Sequence, residues 1–147
     1  MKFQMIINKD AEETVVATVH QPSSLTEQIE ALVLSYASAD RLTVYTEDDM
    51  RVLKFVDIEC ITVLDGKTYA IDRGGKHYRV RQRLYELEPV LPSCFIRINK
   101  SSFANETRIK EFSTTFSGAV DAIFHCGYRE YVSRRCFTQI KRRYENT

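Results

Sequence analysis

Apolar positions along this chain follow two different periods. Leu25, Ile29, Leu32, Val33 and Tyr36 recur at intervals of three and four residues, the spacing that gathers side chains on one face of a helix. Pro22-Ser23-Ser24 leads into that run, and Ser24-x-x-Glu27 has the form of a capping box, in which side chains satisfy the first backbone N–H groups. The expected helix carries a single apolar stripe, which needs something to pack against. Ahead of it, β-rich runs over residues 3–7 and 14–20, separated by polar Asn8-Lys9-Asp10, predict two strands.

From Arg41 onward the period shortens to that of strands. Runs over 42–46, 52–55, 58–63, 68–71 and 77–81 are β-branched or aromatic, with hairpin signals at Asp65-Gly66 and Gly74-Gly75. A short helix is expected over 83–88 and stops at Pro89, which lacks an N–H and crowds the preceding turn. Further strands are expected over 94–98, 109–114, 119–124 and 129–132, with turns at Ser117-Gly118 and Cys126-Gly127. Ser133 then caps a last helix with Phe137, Ile140 and Tyr144 on one face and Lys141, Arg142 and Arg143 on the other. The fold class read from this pattern is mainly β, with a β-β-α attachment over 1–39, a β domain over 40–147 and a short C-terminal helix.

Length allows one substantial core: 147 residues suffice for a single domain with an appendage. Charge sharpens that division. Residues 1–50 carry three cations against nine anions, and residues 51–147 carry eighteen against eleven. A basic working surface with an acidic attachment accounts for the asymmetry, although two solvated charged faces would also produce it. The apolar run Met5-Ile6-Ile7 is far shorter than a signal-peptide core or a membrane span, so a cytoplasmic protein is expected. Cys60, Cys94, Cys126 and Cys136 form no Cys-x-x-Cys pair and do not cluster with His20, His77 or His125, which points to reduced structural thiols and no metal site.

Catalytic signatures are missing from the sequence. It holds no Gly-x-Gly-x-x-Gly or phosphate-cradling loop, no Gly-x-Ser-x-Gly and no His-Glu-x-x-His, so neither an enzyme nor a cofactor is expected. The acidic run Glu47-Asp48-Asp49 reads as a solvated hairpin tip. Polyanion chemistry fares better. The element Phe95-Ile96-Arg97-Ile98 breaks into Asn99-Lys100-Ser101, offering a cation, an amide and a hydroxyl of the kind that reach phosphates and base edges. Ser133-Arg134-Arg135 opens the last helix, where unpaired N–H groups favour anions and two arginines add bidentate capacity.

Ile96-Arg97-Ile98-Asn99-Lys100-Ser101 followed by Asn105, and Tyr131-Val132-Ser133-Arg134-Arg135 after Gly127, resemble the two signature blocks of the LytTR DNA-binding domain family. Val56-Asp57-Ile58, Arg83-Leu84-x-x-Leu87 and Ile109 match further positions in order, so that the resemblance spans about residues 40–145. It implies an elongated domain of stacked antiparallel sheets that reads double-stranded DNA in the major groove through loops at strand ends. Carried onto this chain, Lys100 and Arg135 fall at base-contacting positions and Lys67 or Thr68 near a third, with Arg97, Asn99, Ser101, Ser133 and Arg134 beside them. Two departures stand out: Asn99 where many members have His or Ser, and Cys126 where Asn is commoner in the turn.

The expected function is a sequence-specific bacterial transcriptional regulator acting as a homodimer on paired sites, with the acidic attachment serving dimerisation or the binding of a regulatory protein. The resemblance also makes an inhibitory membrane protein a candidate partner. A doubly wound phosphoacceptor domain does not fit in the 40 residues before the match, so phospho-aspartate control is not expected of this chain. The rival reading is a protein-interaction module whose basic face meets an acidic partner.

Overall fold

In the computed structural model the described residues are 1–38 and 40–145, and of residues 34–38 only the backbone is described. The expected apolar position Tyr36 therefore lies outside the described side chains. The chain divides into two units, Met1–Ser38 and Ala39–Thr147.

In the first unit the helix forms as α1 (Ser24–Ser38), but its cap is one residue earlier than expected. The Ser23 carbonyl accepts from the Glu27 N–H at 3.1 Å, and Thr26 Oγ1 accepts from the Ser23 N–H at 2.9 Å. Thr26 thus supplies the reciprocal arm of the cap that the sequence assigned to Glu27. The two expected N-terminal strands do not form. The polar turn is present, with Asn8 Oδ1 accepting from the Asp10 N–H at 3.0 Å, yet the apolar runs on either side lie exposed, as at Phe3, Ile6, Val15 and Val16. A β-rich run becomes a strand only where a ladder satisfies its backbone, and a two-stranded hairpin alone is marginal in water.

The second unit is built on a seven-stranded antiparallel sheet. In chain order its strands are β1 (Arg41–Tyr45), β2 (Met50–Lys54), β3 (Ile58–Leu64), β4 (Lys67–Asp72), β5 (His77–Val80), β6 (Phe95–Asn99) and β7 (Ser102–Asn105), in the spatial order β2-β1-β5-β4-β3-β7-β6. A second sheet holds β8 (Ile109–Thr114), β9 (Val120–Phe124) and β10 (Arg129–Val132), in the order β10-β9-β8. Helix α2 is a single turn (Leu84–Leu87) ending in a 3-10 turn at Pro89, and α3 (Arg134–Glu145) closes the described chain.

Strand alternation gives the large sheet two apolar faces, each with its own core. On one side Leu42, Val44, Ile61, Ala70, Val80 and Phe103 pack with Leu87 of α2. On the other, Cys60, Ile71, Ile96, Ile98 and Ala104 meet Ala122, Phe124 and Val132 of the small sheet and Ile140 of α3. Burying both faces is what fixes the register, since a one-residue slip would exchange the two cores. At the edge of the second core the fully buried Glu59 is paired with Arg108 and accepts the Cys126 N–H at 3.0 Å. That pairing offsets the cost of a carboxylate buried without solvent.

The turns follow their sequences. Asp65 and Gly66 both take positive φ, 52° and 75°, the pair required by the two-residue hairpin turn whose twist matches its strands. At the β9–β10 turn it is Gly127 that takes φ 94°, so Cys126 adopts ordinary backbone and no asparagine is needed there. The strand absent from the expectation is β7. Its polar Ser102 and Asn105 are buried and bonded across the sheet, Ser102 to the Thr62 hydroxyl at 2.6 Å and Asn105 to the Ile58 carbonyl at 3.0 Å.

Candidate nucleic-acid interface

Three connections meet at one end of the large sheet. β3 turns into β4 through Asp65-Gly66, β6 turns into β7 through Lys100-Ser101, and the pairing of Thr62 with Ser102 sets these two turns side by side. The Val63 N–H donates to the Ser101 carbonyl at 3.0 Å and locks them together. The third connection is the start of α3. Register shifts between Arg97 and Asn99 leave Ile98 outside the β6–β7 ladder, and its carbonyl accepts the Ser133 N–H at 2.8 Å. Such a bulge re-aims the strand end where it occurs.

Lys100, Lys67, Arg134 and Arg135 are exposed at this end. Among the described residues none of the four has a carboxylate partner within ion-pair distance. Ser133 caps α3, its Oγ accepting the Cys136 N–H at 3.2 Å and its carbonyl accepting the Phe137 N–H at 2.8 Å. The first N–H groups of a helix carry partial positive charge, which adds to the cations nearby. What the arrangement offers chemically is a group of unneutralised cations at a hairpin end, a turn and a helix start.

Several residues grouped with these from sequence have other work. Thr68 is buried on the core side of β4, beside Val63 and Val80, so Lys67 is the exposed member of that pair. Asn99 is also buried. Its Nδ2 donates to the Tyr131 carbonyl at 2.6 Å and to Glu130 Oε1 at 3.4 Å, while its Oδ1 accepts the Ser101 N–H at 2.7 Å. Arg97 lies with its guanidinium 4.4 Å from the Phe103 ring centre and donates to the Lys100 carbonyl at 3.0 Å, with Glu88 3.5 Å away. Ser101 is half-buried within the turn. Hydrogen-bond donors looked alike in the sequence whether free or committed, and only the fold separates them.

Sequence reasoning missed a polar group under the turn. Glu130 on β10 accepts from Tyr128 Oη, lies 3.4 Å from the Thr62 hydroxyl and receives the Asn99 amide, linking both sheets. Burial, reinforced by the Glu130 carboxylate, raises the Tyr128 phenol well above its usual pKa, so it remains a donor. No pattern of spacing marks this group, because its members come from three strands and the β9–β10 turn. Arg143 was grouped with the free helix cations, yet it meets Glu106 at 2.8 Å, and Tyr144 donates to the same carboxylate at 2.7 Å. These contacts tether α3 to the turn before β8. Arg142 is exposed. Among the described residues no group of His, Cys, Asp and Glu could hold a metal ion, and no helix is long and apolar enough to cross a membrane.

A mainly antiparallel β domain with unpaired cations at one end of its large sheet offers a surface that suits a polyanion. The model of the LytTr DNA-binding domain family matches residues 48–145, and the chain belongs to this family. An uncharacterized HTH-type transcriptional regulator of Staphylococcus aureus strain bovine RF122 / ET3-1 is 27% identical over 146 residues, covering 97% of each chain. The same values hold for a protein of that description from strain NCTC 8325 / PS 47. Among solved structures, the LytTr DNA-binding domain of a protein described as a methyl-accepting/DNA response regulator from Bacillus cereus superposes with a TM-score of 0.63. It shares 23% identity over 70% of this chain and 94% of its own, a likeness of fold. Although the staphylococcal relatives are described as HTH-type, in this chain α2 and α3 are separated by five strands.

Proposed function

We propose that the protein is a transcriptional regulator that reads a specific sequence in double-stranded DNA. Lys100 and Arg135 contact base edges in the major groove, and Lys67 supplies a third contact from the β3–β4 turn. Arg134 and Arg142 hold phosphates, while Arg97, Asn99, Ser101 and Ser133 hold the turns in place. The observation that carries this reading is the convergence of the two turns and the α3 start at one end of the sheet, with their cations unpaired. Phosphate contacts position such a protein, and base contacts make it selective.

The unit 1–38 serves self-association on paired sites in this reading. Its exposed apolar residues and anionic charge suit a protein partner better than DNA. The deciding experiment is a mobility shift of the fragment upstream of its own coding sequence in excess unrelated DNA. Retention of the shifted band is expected. Complete loss of it to the competitor would favour a basic interaction module instead.

A further inference from the structure

The Glu130 carboxylate stands out because a negative charge beneath a DNA-facing turn opposes binding. It lies against Asn99, whose neighbour Lys100 is the exposed tip, and it has no cationic partner among the described residues. Its oxygens are instead occupied by neutral donors: Tyr128 Oη and the Thr62 hydroxyl on Oε2, the Asn99 amide on Oε1. A carboxylate accepts only, so every group around it is forced into the donor role and its orientation is fixed. Asn99 is then left with one hydrogen on Glu130 and one on the Tyr131 carbonyl, and its Oδ1 is turned toward the Ser101 N–H. The next residue after Tyr131 and Val132 is Ser133, the cap of α3.

We propose that Glu130 is a positioning residue: through Asn99 it fixes the Lys100 turn relative to the start of α3, and so sets the distance between the side chains of Lys100 and Arg135. The proposal rests on the reading of those two cations as base contacts. Glu130 weakens general attraction to a polyanion and supports discrimination among sequences. Those two effects have opposite signs, which separates this role from plain support of the fold.

The test uses full-length wild type, Glu130→Ala, Glu130→Gln and Asn99→Ala. Each is titrated with the tightest duplex selected from a randomised pool and with a scrambled duplex of equal composition, alongside thermal melts. Glu130→Ala and Asn99→Ala should lower the specific-to-scrambled affinity ratio about ten- to a hundredfold. Glu130→Gln retains an acceptor for Asn99, because its amide nitrogen can donate to the Tyr128 oxygen. It should therefore keep most of the ratio while binding scrambled DNA about two- to threefold more tightly at low salt. A wild-type ratio near one would remove the base-contact reading and this proposal with it. A wild type that discriminates, with Glu130→Ala discriminating equally well or losing both affinities in parallel, would overturn the proposal alone.

Discussion

Ser133 donates its backbone N–H to the Ile98 carbonyl at 2.8 Å, and this bond joins the start of α3 to the bulged end of β6. The same residue caps the helix through its hydroxyl, which accepts the Cys136 N–H. One residue thus holds a helix terminus against a strand terminus. Because the first bond is made by backbone, Ser133→Ala should remove the cap and leave the junction. The expected loss is about 1 kcal/mol in urea unfolding, with hydrogen exchange speeding up at the first turn of α3. A mutant as stable as wild type would mean that the hydroxyl contributes nothing at this helix start.

Binding should depend steeply on salt. If roughly four to six phosphates are neutralised per protomer, the slope of log K against log salt should be about −4 to −5. The measurement is a series of duplex titrations at several salt concentrations. A slope near zero would contradict an interface made of unpaired cations.

The cysteines should differ in reactivity. Cys60 is fully buried on β3, and burial raises its thiol well above the usual pKa, which suppresses the reactive thiolate. Cys94, Cys126 and Cys136 are half-buried. Native labelling with a thiol reagent should therefore leave one cysteine unmodified until the protein is denatured, and mass spectrometry should locate it at Cys60. Early modification of Cys60 would show that the core between the two sheets opens readily.

What the sequence made legible is what depends on near neighbours. Asp65-Gly66 announces its hairpin because both positions need positive φ, and residues 24–38 announce a helix through spacing. Strand β7 stayed hidden because Ser102 and Asn105 look like loop residues until Thr62 and the Ile58 carbonyl, more than 35 positions away, satisfy them. The runs 3–7 and 14–20 failed in the opposite way, having strand composition and no ladder. At the candidate interface the exposure of Lys100 and Arg135 agrees with their charge and their place at a turn and a helix start. That Asn99 and Arg97 are already committed to Tyr131, Glu130 and the Lys100 carbonyl could not, since a donor's partners are set by tertiary folding.

Residues 1–38 form one of the two units of the chain. A chain beginning near Asp40 should still bind a single half-site and should lose cooperative occupancy of paired sites. Footprinting on a duplex with two sites, compared between the truncated and full-length proteins, measures this. Equal cooperativity would assign self-association to the β domain itself.

The sharpest contrast lies between Lys100 and Arg135 at the sheet end and Arg142 further along α3. A base-reading side chain forms its hydrogen bonds only on a matched base, so Lys100→Ala and Arg135→Ala should each cost about 1–3 kcal/mol on the specific duplex and little on scrambled DNA. A phosphate contact is indifferent to sequence. Arg142→Ala should weaken both duplexes alike and reduce the salt slope by about one unit. Arg143→Ala is the internal control, because its guanidinium is bound to Glu106 and its loss should lower stability before it alters the salt slope. Titrating the four variants against both duplexes checks all of these at once. If Lys100→Ala and Arg135→Ala leave the specific-to-scrambled ratio unchanged, these two residues do not read bases.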